Sequence, residues 1–148
     1  MSITTCSGAI SFSKELELQS AGFYEELAGR FAKDAELFLG FSKENRKFIV
    51  QVERAYYGVI TDALEGCFAF DLDTGPFQLK TALPDGTRYP DALSGALEME
   101  QTIIDYYKAA AEQSKHLMAD VPRAFNLVVK KRSERIPKIK GLLGQPAQ

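Results

Sequence analysis

Apolar residues recur at helical intervals in four blocks of this chain, each bounded by residues that cap or break helices. The first block carries the stripe Ile10, Glu17, Ala21, Tyr24, Ala28, Phe31, and Ser11 or Ser13 can cap it, so a helix is expected over about 11–32. Asp34 can cap the second, over about 35–64, whose stripe reads Phe38, Phe41, Asn45, Phe48, Val52, Ala55, Val59 and which Gly66 would stop. The third, about 91–115, carries Leu93, Leu97, Glu100, Ile104, Tyr107, Ala111. Asp120-Val121-Pro122 opens the fourth, about 121–140, with Val121, Phe125, Val128, Arg132, Arg135, Ile139 inward and Pro137 set to kink or end it. Met1–Ala9 reads as a loosely held lead-in. The pattern predicts an all-α bundle of four helices in a single domain, since 148 residues suffice for one real core and not two.

Each stripe is apolar except at its centre. Glu17 and Glu100 sit among hydrophobic neighbours, and both begin the same phrase, with a tyrosine seven residues on at Tyr24 and Tyr107. A buried, unpaired carboxylate is costly, so an inward Glu implies a metal, a cation or a proton beside it. Asn45 is the polar residue of the second stripe, and Arg132 and Arg135 hold interior positions in the fourth. Arginine stays charged and its planar fork matches a carboxylate. Two Glu facing two Arg, with Asn45 bridging, is therefore an expected layer at the bundle centre. Tyr24 and Tyr107 read first as core aromatics needing one hydrogen-bond partner each, with bonds to the carboxylates as the functional alternative.

Between the second and third helices, Gly75-Pro76, Pro84-Asp85-Gly86 and Pro90 break the pattern over 66–89. About 24 extended residues exceed the roughly 40 Å length of such a helix, so this segment can cross the whole bundle and leave the second and third helices parallel. Asp71-Leu72-Asp73-Thr74-Gly75 resembles the start of a calcium loop but lacks the later ligands, and reads as a solvated turn. His116, the single histidine, reads as a helix C-terminal cap, and Cys6 and Cys67 as reduced structural thiols. A net charge of -2 disfavours nucleic acid, and the lysines around Lys130 and Lys138 read as a solvated face. No apolar run is long enough for a membrane span, and the expected location is cytoplasmic.

The phrases around Glu17…Phe23-Tyr24 and Glu100…Tyr106-Tyr107, with two helix pairs and a long crossover, resemble the rubrerythrin family of ferritin-like bundles. The resemblance implies two irons held by a Glu from the first helix of each pair and a Glu-x-x-His from the second. Aligned on Phe38-Leu39-Gly40-Phe41-Ser42 and Phe125-Asn126-Leu127-Val128-Val129, the latter positions fall on Asn45 and Phe48, and on Arg132 and Arg135. Glu17 and Glu100 match, both histidines are missing, and Phe48 would fill the volume of an imidazole. The resulting expectation is a degenerate di-iron site with no cofactor, no assigned catalytic residue and a structural or interaction role. The alternative is an iron or manganese oxidoreductase, reducing peroxide or oxidising iron, with Glu17 and Glu100 as metal ligands and a shifted register that recruits Glu44, Glu53 or Glu134. The family's habit of association and the aromatic surplus at Tyr56-Tyr57 and Phe68-Ala69-Phe70 make a homodimer the expected partner state, with no small-molecule substrate indicated.

Overall fold

A computed structural model describes residues 2–59, 70–115 and 120–144. Helix α1 (Cys6–Arg30) and helix α2 (Ala35–Val59) form one antiparallel pair, joined by a 3-10 turn at Ala32–Asp34. Helix α3 (Tyr89–Gln113) pairs with α4 (Asp120–Ser133) and its continuation α5 (Arg135–Leu143). The fold is all-α, as the periodicity predicts. No helix among the described residues is long and apolar enough to cross a membrane.

The N-terminus departs from the expected lead-in. Thr5, not Ser11 or Ser13, caps α1, its hydroxyl accepting from the Gly8 N–H at 2.9 Å. Cys6, Ala9 and Ile10 are buried from the first turn onward, and burial of that short apolar face is what extends the helix upstream. Ser2–Ile3 (β1) pairs antiparallel with Leu72–Asp73 (β2), so Ile3 and Leu72 seal this end of the core. The segment Asp71 to Gly75 is accordingly a strand end and 3-10 turn with Leu72 buried. Asp73 accepts from the Gly75 N–H at 3.1 Å, in the manner of an Asx turn. The expected end of α2 at Leu64 and stop at Gly66, with Cys67, Phe68, Ala69 and His116, lie outside the described residues.

Residues 70–88 travel the length of the bundle. Phe70 N–H bonds the Thr4 carbonyl beside the start of α1, whereas Arg30 at its far end donates to the carbonyls of Leu83 and Pro84. Ring contacts run α1 antiparallel to α3, with Phe31 against Tyr89 at one end and Phe12 against Tyr106 at the other. Because α1 also runs antiparallel to α2, the second and third helices are parallel.

The fourth helical block breaks earlier than Pro137 itself. A proline lacks the N–H that would bond the carbonyl four residues before it, and its ring crowds that carbonyl. For Pro137 that residue is Ser133, where α4 ends; Glu134 is a turn and α5 resumes at Arg135. Stripe residues Val121, Phe125, Val128, Arg132, Arg135 and Ile139 are buried on both sides of the break.

Candidate functional site

Helical phase carries Glu17, Asn45, Glu100, Arg132 and Arg135 to one level of the core, where none is more than 1% exposed. Their meeting follows from the stripes, in which each occupies a position otherwise given to an apolar side chain. Arg132 is the centre. Its Nη1 donates to Glu100 Oε1 at 2.6 Å, and its Nη2 donates to Glu17 Oε1 and, at 3.1 Å, to Asn45 Oδ1. One guanidinium thus binds both carboxylates. Asn45 passes the network on by donating to Ser20 Oγ at 2.9 Å.

Arg135 supports the layer from one side. Its Nη1 donates to Glu100 Oε2 at 3.1 Å, and its Nη2 to the Phe41 carbonyl at 3.2 Å and to Glu44 Oε1 at 2.8 Å. Glu44 is 38% exposed, so the network reaches solvent there. Phe48 lies against both guanidinium groups, 5.7 Å from that of Arg132 and 5.5 Å from that of Arg135, and Phe41 packs on Arg135 at 4.5 Å. These aromatic faces attract cations that water no longer reaches. The Nε–H groups of Arg132 and Arg135 have no acceptor among the described residues.

The tyrosines pair crosswise. Tyr24 of α1 donates to Glu100 Oε2 on α3, and Tyr107 of α3 donates to Glu17 Oε2 on α1 at 2.7 Å. A tyrosine seven residues from its own Glu stands roughly 10 Å along the helix, too far for a direct bond, whereas the antiparallel neighbour brings one level with it. Burial, followed by the neighbouring carboxylate, pushes both phenols well above the usual tyrosine range, which keeps them protonated as donors.

The two carboxylates differ in charge balance. Burial pushes Glu17 up, and Arg132 with the Tyr107 hydroxyl offsets only part of this, so its pKa lies above the ordinary glutamate value. Burial pushes Glu100 in the same direction, but Arg132 and Arg135, helped by the Tyr24 hydroxyl, outweigh it and hold that carboxyl below the ordinary value. Burial also opposes the charge of Arg132; Glu100 and Glu17 prevail and raise its pKa.

Of the residues a shifted register would recruit, Glu44 reaches the layer only as a partner of Arg135, Glu134 is exposed, and Glu53 is partly exposed. No group of three or more His, Cys, Asp or Glu side chains placed to hold a metal occurs among the described residues. Ser20 and Glu44 belong to the network although the stripes do not mark them as members. Ser20 had a signal, standing one turn from Glu17 on a buried face. Compared with protein-family models, with curated proteins and with solved structures, the chain matches none.

Proposed function

We propose that this chain is a ferritin-like bundle of the rubrerythrin kind in which an ionic layer replaces the di-iron centre, and that its role is structural or interactive, not catalytic. The carrying observation is the Arg132 guanidinium, which donates to Glu17 and Glu100 together. It stands where two such carboxylates would otherwise share a metal. Support also comes from the connectivity, in which two antiparallel pairs leave α2 and α3 parallel and the first helix of each pair contributes one Glu.

The residues present do not fit a pair of irons. All four oxygens of Glu17 and Glu100 already accept from Arg132, Arg135, Tyr24 or Tyr107. Two guanidinium groups balance two carboxylates, and added divalent cations would leave the layer with excess positive charge in a medium that screens it poorly. Asn45 and Phe48 supply no anionic or imidazole donor. The test is metal analysis of protein purified from cells grown with added iron and then dialysed. The expected content is far below one iron or manganese per chain. Near-stoichiometric retention of either would overturn the reading in favour of a carboxylate-bound oxidoreductase site.

A further inference from the structure

Between α2 and α5 the surface sinks into a hollow of about 370 Å³. Its α2 wall is built at helical spacing from Glu36, Gly40, Lys43, Glu44 and Lys47, and Lys138 of α5 completes the lining. The floor is apolar, made of half-buried Leu37 and of buried Phe41, the ring on which the Arg135 guanidinium packs at 4.5 Å. Three ammonium groups thus share one hollow. None of the three has an ion-pair partner among the described residues.

Helix geometry alone would have quenched that charge. Glu44 stands three residues before Lys47, a spacing at which opposite charges ordinarily pair on a helix surface. Arg135 prevents the pairing, because its Nη2 holds Glu44 Oε1 at 2.8 Å and neutralises the acid at the centre of the wall from the inside. The other acid of the lining, Glu36, lies at the opposite end of the wall from Lys47, roughly 16 Å along the helix. Glu134, four residues before Lys138, does not line the hollow and makes no ion pair among the described residues. With Glu44 and Arg135 cancelling, three lysines against Glu36 leave the hollow at +2. Gly40 keeps it open. Glycine is a poor helix former, yet it stands inside a 25-residue helix where a Cβ would meet nothing within 4 Å, so packing within the chain does not require it. Any larger side chain there would enter the hollow.

We propose that this hollow binds a small phosphomonoester, with Lys43, Lys47 and Lys138 around the phosphate and the apolar body of the ester over Leu37 and Phe41. A phosphomonoester carries close to two negative charges at neutral pH, which the hollow matches and a carboxylate would only half balance. Lysine suits such a group, since each ammonium is a flexible point charge that needs no planar, two-pronged partner. The volume is at the small end for ligand sites and fits a single ring or a short chain beside the phosphate. The apolar floor separates this ligand from a bare phosphate ion, which would leave Leu37 and Phe41 uncovered. Arg135 connects the hollow to the core, because the same guanidinium that occupies Glu44 also donates to buried Glu100.

The test is isothermal titration calorimetry of phenyl phosphate into the full chain at low salt, with circular dichroism to confirm equal folding of every variant. The expected Kd is on the order of 0.1–1 mM, weakening steeply as salt is added. Benzoate and inorganic phosphate should each bind at least about fivefold more weakly, the first for want of charge and the second for want of an apolar body. Lys47→Ala and Lys138→Ala should each weaken phenyl phosphate at least about fivefold, and Gly40→Leu should abolish its binding. Glu36→Gln should tighten it, and Lys108→Ala, outside the hollow on α3, should leave it unchanged. No heat at millimolar phenyl phosphate overturns the proposal. So does binding indifferent to both lysine variants, or an affinity matched by benzoate or by inorganic phosphate.

Discussion

Replacing Arg132 by alanine removes the cation between the two buried carboxylates. Glu17 would keep only the Tyr107 hydroxyl, while Glu100 would keep Arg135 and Tyr24. Deleting one partner of a buried ion pair costs about 3–5 kcal/mol, because the charge left behind has lost both water and its counter-ion. The space vacated beside Phe48 adds a cavity penalty. Glu17 can limit the loss by taking up a proton, at about 1.4 kcal/mol for each unit by which the solution pH exceeds its pKa. The expected loss at neutral pH is therefore about 3–5 kcal/mol, from a domain whose whole stability is on the order of 5–15 kcal/mol. Urea unfolding followed by circular dichroism measures it, provided the slope matches the wild type. Adding Glu17→Gln to Arg132→Ala should return about 1–2 kcal/mol, since the amide has no charge to strand. A loss within about 0.5 kcal/mol, the scatter of surface substitutions, would refute the view that Arg132 holds the layer together.

The two glutamates should answer pH in opposite directions. Glu17 has a raised folded pKa, so its favourable contribution is complete below the unfolded value of about 4.3 and is lost as pH rises through the folded value. Glu100 has a lowered one, so its contribution is present above the unfolded value and is lost as pH falls through the folded value. In urea titrations across pH, the wild type should gain on Glu17→Gln as acid is added and lose its advantage over Glu100→Gln; the same trend in both would sink the assignment. Tyr107→Phe strips the Glu17 carboxylate of a donor and should cost about 1.5–3 kcal/mol at neutral pH, read from the same unfolding curves. An unchanged midpoint would mean that this hydroxyl adds nothing to the layer.

The layer was legible because helical spacing is unforgiving in the interior of a long helix. Arg132 and Arg135 occupy the same stripe as Phe125 and Val128, and their burial follows however the ends of the helix are drawn. Ends were harder. Thr5 opens α1 through a turn made of Cys6, Ser7, Gly8 and Ala9, residues too small and mixed to declare a period. The break at Ser133 shows proline acting on the carbonyl four residues behind it, which displaces a boundary from the residue that causes it. Crosswise pairing of Tyr24 and Tyr107 was not legible in either helix, because partner choice depends on the height at which two helices dock. Likewise β1 and β2 span two residues each and carry no periodic signal.

The exchange of tyrosines ties the two halves of the chain to a common fate. The α1/α2 pair buries a carboxylate whose counter-ion, Arg132, and whose hydroxyl, Tyr107, both come from the other pair. The second pair in turn relies on Tyr24 for Glu100 and on Glu44 and the Phe41 carbonyl for Arg135. The first half alone would hold Glu17 without a cation, and the second would hold two guanidinium groups against the single carboxylate of Glu100, so a state with one hairpin formed and the other melted has little to recommend it. Two similar helical hairpins, each of a length that would ordinarily allow some independence, are made into one cooperative unit by a handful of polar atoms at their centre.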